Sequence, residues 1–184
     1  MHIALYVTDI RSLYDARFYA ALGAQWLGVQ LGRFAERAEE LSAIQSWIYG
    51  VEWVAEWGNQ PIARSQAHEL GIQLHSVNYP HPNWKEADFV SIDIHHWDEI
   101  AEGQRSRPIH WILTNPHTWE RIHLVQLRKA TGWHYLLLSL PDQVDLAVQI
   151  IRSVQPHGVV FKGFEESEEG IQYMQNVERI LEEI

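Results

Sequence analysis

Eight short apolar runs recur along the chain, and most are followed by a stretch with helical patterning. The runs are Ile3–Val7, Trp26–Leu31, Val51–Trp57, Ile72–Ser76, Phe89–Ile94, His110–Asn115, His134–Ser139 and Gly158–Gly163. Several are apolar almost without interruption, as in Gly-Val-Val-Phe-Lys-Gly at 158–163. Such runs fit strands covered on both faces, which is the condition inside a parallel sheet. Eight strand-then-helix units predict a closed (β/α)8 TIM-type barrel formed by residues 1–184 as a single domain. The spacing is tight, since 184 / 8 = 23 residues per unit, below the roughly 200-residue lower end of this fold. A doubly wound open sheet is the alternative if one strand has been overcounted.

The helices carry their own signals. Ser12 caps the first, with Asp15 three residues on as a capping box, and Gly23 ends it. Leu13, Ala16 and Ala20 form its apolar face. Leu41, Ile44 and Ile48 form a stripe on the second. Thr118 caps the sixth, which runs to about Ala130 before Gly132. Ser139 and Pro141 open the seventh, with Val144, Val148 and Ile151 apolar. The last places Ile171, Met174, Val177, Leu181 and Ile184 on one side. Val77–Asp88 reads as loop, with a helix there short or absent.

Composition narrows the chemistry. The chain holds no Cys, so disulfides, Cys-ligated metals and thiol nucleophiles are excluded. Asp and Glu number 24 against 14 Lys and Arg, a formal charge of −10. That balance argues against nucleic acid and against an anionic membrane surface as partners. No run approaches a membrane span and no signal-peptide pattern follows Met1. The expectation is a cytoplasmic protein.

Barrels of this class place function at the C-terminal ends of their strands. Those ends supply Thr8, Asp9, Gln30, Glu56, His75, Asp93, His95, Asn115, Ser139 and Lys162. The set holds acids and imidazoles and suits acid–base chemistry. Asp93 and His95 share a strand face by their spacing, and with His75 they form an alternative N/O metal set. The default expectation is no metal and no cofactor. Trp26, Trp53 and Trp111 read as packing. Trp57, Trp84 and Trp97 fall at strand ends or loops, where they line a pocket or a subunit interface, and a homodimer is one expectation.

Three segments in order resemble phosphoribosylanthranilate isomerase. Asp15-Ala16 with Gly23-Ala24-Gln25-Trp26-Leu27-Gly28-Val29 is similar to that family's Asp-Ala, Gly-Ala-Asp-x-x-Gly-Phe opening. Ile72-Gln73-Leu74-His75-Ser76 resembles its Val-Gln-Leu-His-Gly strand four. Gly163-Phe164-Glu165 and Gly170 resemble its Ser-Gly-Val-Glu and later Gly. The resemblance implies a barrel and an Amadori isomerisation in tryptophan biosynthesis. It implies a Cys base ending strand one, an Asp acid ending strand six and a phosphate cradle after strands seven and eight.

The sequence departs at each point. The Cys position falls on Thr8 and the next Gly on Asp9, so Asp9 becomes a substitute base. The acid position falls on Thr114 or Asn115. Leu140-Pro141 replaces a Gly-Gly, and Pro offers no N–H. Glu165, Glu166, Glu168 and Glu169 surround the phosphate position, with Lys162 the cation beside them. Arg37, or Arg33 in its place, stands for the family's arginine after strand two. The candidate catalytic residues are therefore Asp9, Thr8, Asp93 and Glu56. Candidate substrate-binding residues are His75, Arg37, Asn115, Ser139, Lys162 and Gly163. The expected function is an isomerase-like acid–base catalyst acting on a different or unphosphorylated small molecule. The alternative is an inactive barrel that binds a small molecule or a protein.

Overall fold

The computed structural model describes residues 3–34, 38–93, 96, 110–114, 136–141, 143–164 and 167–184. Eight parallel strands close on themselves in sequence order. They are β1 (Ala4–Thr8), β2 (Trp26–Gln30), β3 (Glu52–Gly58), β4 (Leu74–Asn78), β5 (Phe89–Asp93), β6 (His110–Thr114), β7 (Leu136–Ser139) and β8 (Gly158–Lys162). The closing pair β1–β8 runs in unbroken register from Ala4↔Gly158 to Thr8↔Lys162. The open-sheet alternative is therefore excluded.

Alternation along each strand sorts the side chains into two cores. Inside the barrel sit Ala4, Tyr6, Trp26, Val54, Leu74, Phe89, Ile112, Leu137 and Val160, at least one from every strand. Their neighbours point outward and meet the helices: Val7, Leu27, Ala55, Val90, Trp111, Leu138 and Phe161 belong to that second core.

The described helices are α1 (Leu13–Ala21), α2 (Leu31–Phe34), α3 (Ala38–Trp47), α4 (Arg64–Glu69), α5 (Val144–Val154) and α6 (Glu168–Glu182). A single 3-10 turn, Trp84–Glu86, is what the β4–β5 connection holds. α1 begins at Ser12, whose hydroxyl accepts the Asp15 N–H at 3.1 Å. It ends where Gly23 takes φ +85° and the Ala24 N–H returns to the Tyr19 carbonyl at 3.0 Å. That is the left-handed closure glycine permits.

Four local expectations need correction. The capping box is one-sided, because the Asp15 carboxylate takes the Arg11 N–H at 3.0 Å instead of turning back to Ser12. α5 starts at Val144 behind Gln143, so Ser139 and Pro141 lie upstream of its first turn. β4 begins at Leu74, because the Ile72 N–H closes α4 on the Ala67 carbonyl (2.9 Å). On α6, Val177 is buried and Met174, Leu181 and Ile184 pack against the core as expected, while Ile171, 54% exposed, drops out of the stripe and Ile180 joins it. Thr118, Ala130 and Gly132 lie outside the described residues.

Candidate functional site

The C-terminal ends of the strands open onto a cavity of about 940 Å³. Seven of the strand-end residues singled out from sequence line it: Thr8, Asp9, Gln30, Glu56, Asp93, Ser139 and Lys162. Hydroxyls and amides fill the wall between the charges, from Ser76, Asn78, Ser91, Asn59 and Gln60.

Glu56 is the chemical centre of this wall. β3 turns its side chain inward, where Oε1 accepts the Tyr6 hydroxyl at 2.8 Å. Oε2 accepts the Asp9 backbone N–H at 2.9 Å. Burial pushes the carboxyl up to about 7, against the lowering effect of both hydrogen bonds, and the charge of Asp9 adds to the rise. Tyr6 rises well above its usual value for the same reason, burial first and the facing Glu56 carboxylate second. The pair fits because position 28 has no side chain. A Cβ there would lie 2.6 Å from Glu56 Cδ and 2.8 Å from the Tyr6 oxygen. A carboxyl poised near neutrality can both give and take a proton at physiological pH.

Asp9 sits beside it, 4% exposed, with φ +56°. Arg11 holds its Oδ2 through Nη2 at 2.6 Å and Nε at 3.0 Å. Arg33, carried by α2, brings Nη1 to 3.0 Å from Oδ1. Lys162 Nζ lies 3.9 Å from Oδ2. Asp9 thus lines the cavity with both oxygens facing cations. The Thr8 hydroxyl donates to the Phe161 carbonyl at 3.2 Å.

Two sequence candidates are placed elsewhere. His75 is 3% exposed and absent from the cavity lining, since it is the outward-facing residue after Leu74. Its Nδ1 accepts the Trp57 indole N–H at 3.2 Å, and burial lowers its pKa. The Gly163 N–H donates to the Thr8 carbonyl at 2.7 Å and is spent on closing the barrel. A side chain there would strike the Asp9 carbonyl and come within 2.5 Å of Asp15 Oδ2. Arg37, Asn115 and His95 lie outside the described residues, as do Glu165 and Glu166. Glu168 and Glu169 form the first turn of α6, where acids favour the helix dipole. Among the described residues no group of three His, Cys, Asp or Glu could hold a metal, and His75 faces away from Asp93.

Sequence reasoning missed Tyr6 and Arg11. Tyr6 lies two positions before Thr8 and so shares its inward face, which is the signal that could have found it. Trp57 is mostly buried and lines the cavity, as expected of a strand-end aromatic, whereas Trp84 packs against Trp111 at 5.5 Å and is absent from the lining. Trp97 lies outside the described residues. Among the described residues no helix is long and apolar enough to cross a membrane.

A deeper carboxyl supports the rim. Asp15 is fully buried, and its Oδ1 has no hydrogen-bond partner among the described residues. Burial raises it to about 7.

No protein-family model and no curated protein matches the chain by sequence. Solved structures do match by shape. Phosphoribosylanthranilate isomerase from Thermotoga maritima superposes with a TM-score of 0.73 at 15% identity, over 99% of this chain and 98% of that one. The Pyrococcus furiosus isomerase gives 0.66 at 14% identity over the same shares. TrpF from Jonesia denitrificans gives 0.67 at 11%, over 97% and 98%. End to end, the chain has the barrel fold of the phosphoribosylanthranilate isomerases.

Proposed function

We propose that the barrel mouth carries out general acid–base catalysis on a small, unphosphorylated, hydroxyl-rich carbonyl compound, as an isomerase of the aldose–ketose type. The observation that carries this reading is Glu56, a cavity-lining carboxyl raised to about 7 among hydroxyl and amide groups. In the proposed step Glu56 takes the proton from the carbon next to the carbonyl. The electron pair forms the carbon–carbon double bond of an enediol. Glu56 then returns the proton to the former carbonyl carbon, while the hydroxyl proton moves between the two oxygens. Asn78, Ser91 and Ser139 supply donors and acceptors for the hydroxyls of such a substrate.

Glu56 takes the role because it faces the cavity with a near-neutral carboxyl, whereas Asp9 is engaged by Arg11 and Arg33. The shared fold with phosphoribosylanthranilate isomerase supports a barrel-mouth site and leaves the substrate open. The test is deuterium incorporation into unphosphorylated aldoses and ketoses in D2O, followed by NMR. Carbon-bound exchange that falls at least about 100-fold in Glu56→Gln is the expected result. Equal exchange in Glu56→Gln contradicts the assignment. Absence of exchange with every sugar leaves a ligand-binding barrel in its place.

A further inference from the structure

We propose that Asp9 is a specificity-determining residue of the barrel mouth, a built-in anion that occupies the cation cluster and turns phosphorylated ligands away. The inference rests on the reading of the mouth as the ligand site. Three cations from three separate places in the chain converge on this one carboxylate: Arg11 after β1, Arg33 on α2 and Lys162 at the end of β8. Arg33 and Lys162 line the cavity and Arg11 pairs with the same carboxylate, and cations gathered in this way make a site for an oxyanion. Here the chain itself supplies the oxyanion.

The backbone supports the same conclusion independently. Asp9 takes φ +56°, a left-handed conformation disfavoured for residues other than glycine, Asn and Asp. It does so at a strand end where its N–H is fixed by Glu56 and the next N–H, that of Ile10, by the Gly28 carbonyl at 2.8 Å. Aspartate tolerates this conformation, and the two backbone hydrogen bonds fix it there. What it achieves is to keep the carboxylate against the cations.

Asp9 cancels one of the three positive charges, and an incoming phosphate would have to displace this carboxylate or share the cations with it at close range. A neutral polyol meets no such obstacle. Discrimination therefore comes from a repulsive group already in place as much as from attractive contacts.

Calorimetric titration of inorganic phosphate, a pentose phosphate and the unphosphorylated pentose into the full chain tests this. Asp9→Asn and Asp9→Gly are compared with the wild type, since both replacements tolerate positive φ. Both variants are expected to bind the two phosphates at least about tenfold more tightly than the wild type. That gain weakens with salt and disappears when Arg33→Gln is added. Binding of the unphosphorylated pentose does not rise with it. Wild-type binding of the pentose phosphate more tightly than the unphosphorylated pentose overturns the proposal, whether or not the variants fold. So does the absence of any gain in variants whose thermal melts remain cooperative. The readout is binding alone, so its failure is separate from a failure of Glu56-dependent exchange.

Discussion

The Tyr6 hydroxyl donates to Glu56 Oε1 at 2.8 Å, reaching from β1 to β3 over the gap left by the missing side chain of Gly28 on the intervening β2. Three strands thus cooperate in one hydrogen bond: β1 provides the donor, β3 the carboxyl and β2 the space. The bond and the burial together set the protonation of the group to which the chemistry is assigned.

Gly28→Ala is expected to break this arrangement. The added methyl meets Glu56 and Tyr6 at distances that require movement. Overpacking of a filled interior costs about 1–3 kcal/mol. Denaturant titration should show a loss of that size, and carbon-bound exchange should fall with it. Unchanged stability and exchange would mean that the pair has room to spare.

The contribution of Asp15 and Glu56 to stability should decline as pH rises from about 4 to 8, opposed by His75 and His110, whose values burial lowers. Asp15 and Glu56 both have folded values raised to about 7, from ordinary values of 3.8 and 4.5. A carboxyl raised in the fold binds its proton more tightly there than in the unfolded chain. Its favourable contribution is complete below the unfolded value and is lost as pH passes through about 7. Asp15→Asn removes one of the two groups, so melting temperatures of the variant should depend less steeply on pH over this window. A melting-temperature difference between wild type and Asp15→Asn that stays constant from pH 4 to 8 would contradict the account.

His75→Leu is expected to act on stability and not on ligand binding. The Trp57 indole N–H loses its acceptor inside the layer between strands and helices. An unsatisfied buried donor costs about 1–3 kcal/mol. Affinity for a mouth ligand should stay within about twofold, since His75 does not line the cavity and Trp57, which does, keeps its packing. Loss of affinity at unchanged stability would place His75 in the site after all.

The barrel was legible because its strands are covered on both sides. Leu136–Leu138 and Gly158–Phe161 are buried throughout, so they read as continuous apolar runs. The mouth was legible in outline because inward-facing strand ends are polar where the interior opens to solvent. Errors came from where a strand starts. Ile72 belongs to the closure of α4, which delays β4 by two residues and makes His75 an early, outward residue of β4 instead of its end. Whether a carboxylate is poised or neutralised was not legible, because it depends on partners far away in the chain. Glu56 is raised by burial that only the closed barrel creates, and its hydroxyl partner Tyr6 lies 50 positions earlier. Lys162 approaches Asp9 only when β8 closes on β1.

The most direct test is a carbon-13 NMR titration of the glutamate carboxyls, with the Glu56 signal assigned by its loss in Glu56→Gln. The account predicts a midpoint near 7 for Glu56. It predicts a still higher midpoint in Tyr6→Phe, because the lost hydrogen bond had favoured the carboxylate. A midpoint in the ordinary range near 4.5, unmoved by Tyr6→Phe, would contradict the assignment of Glu56 as the proton-transferring group.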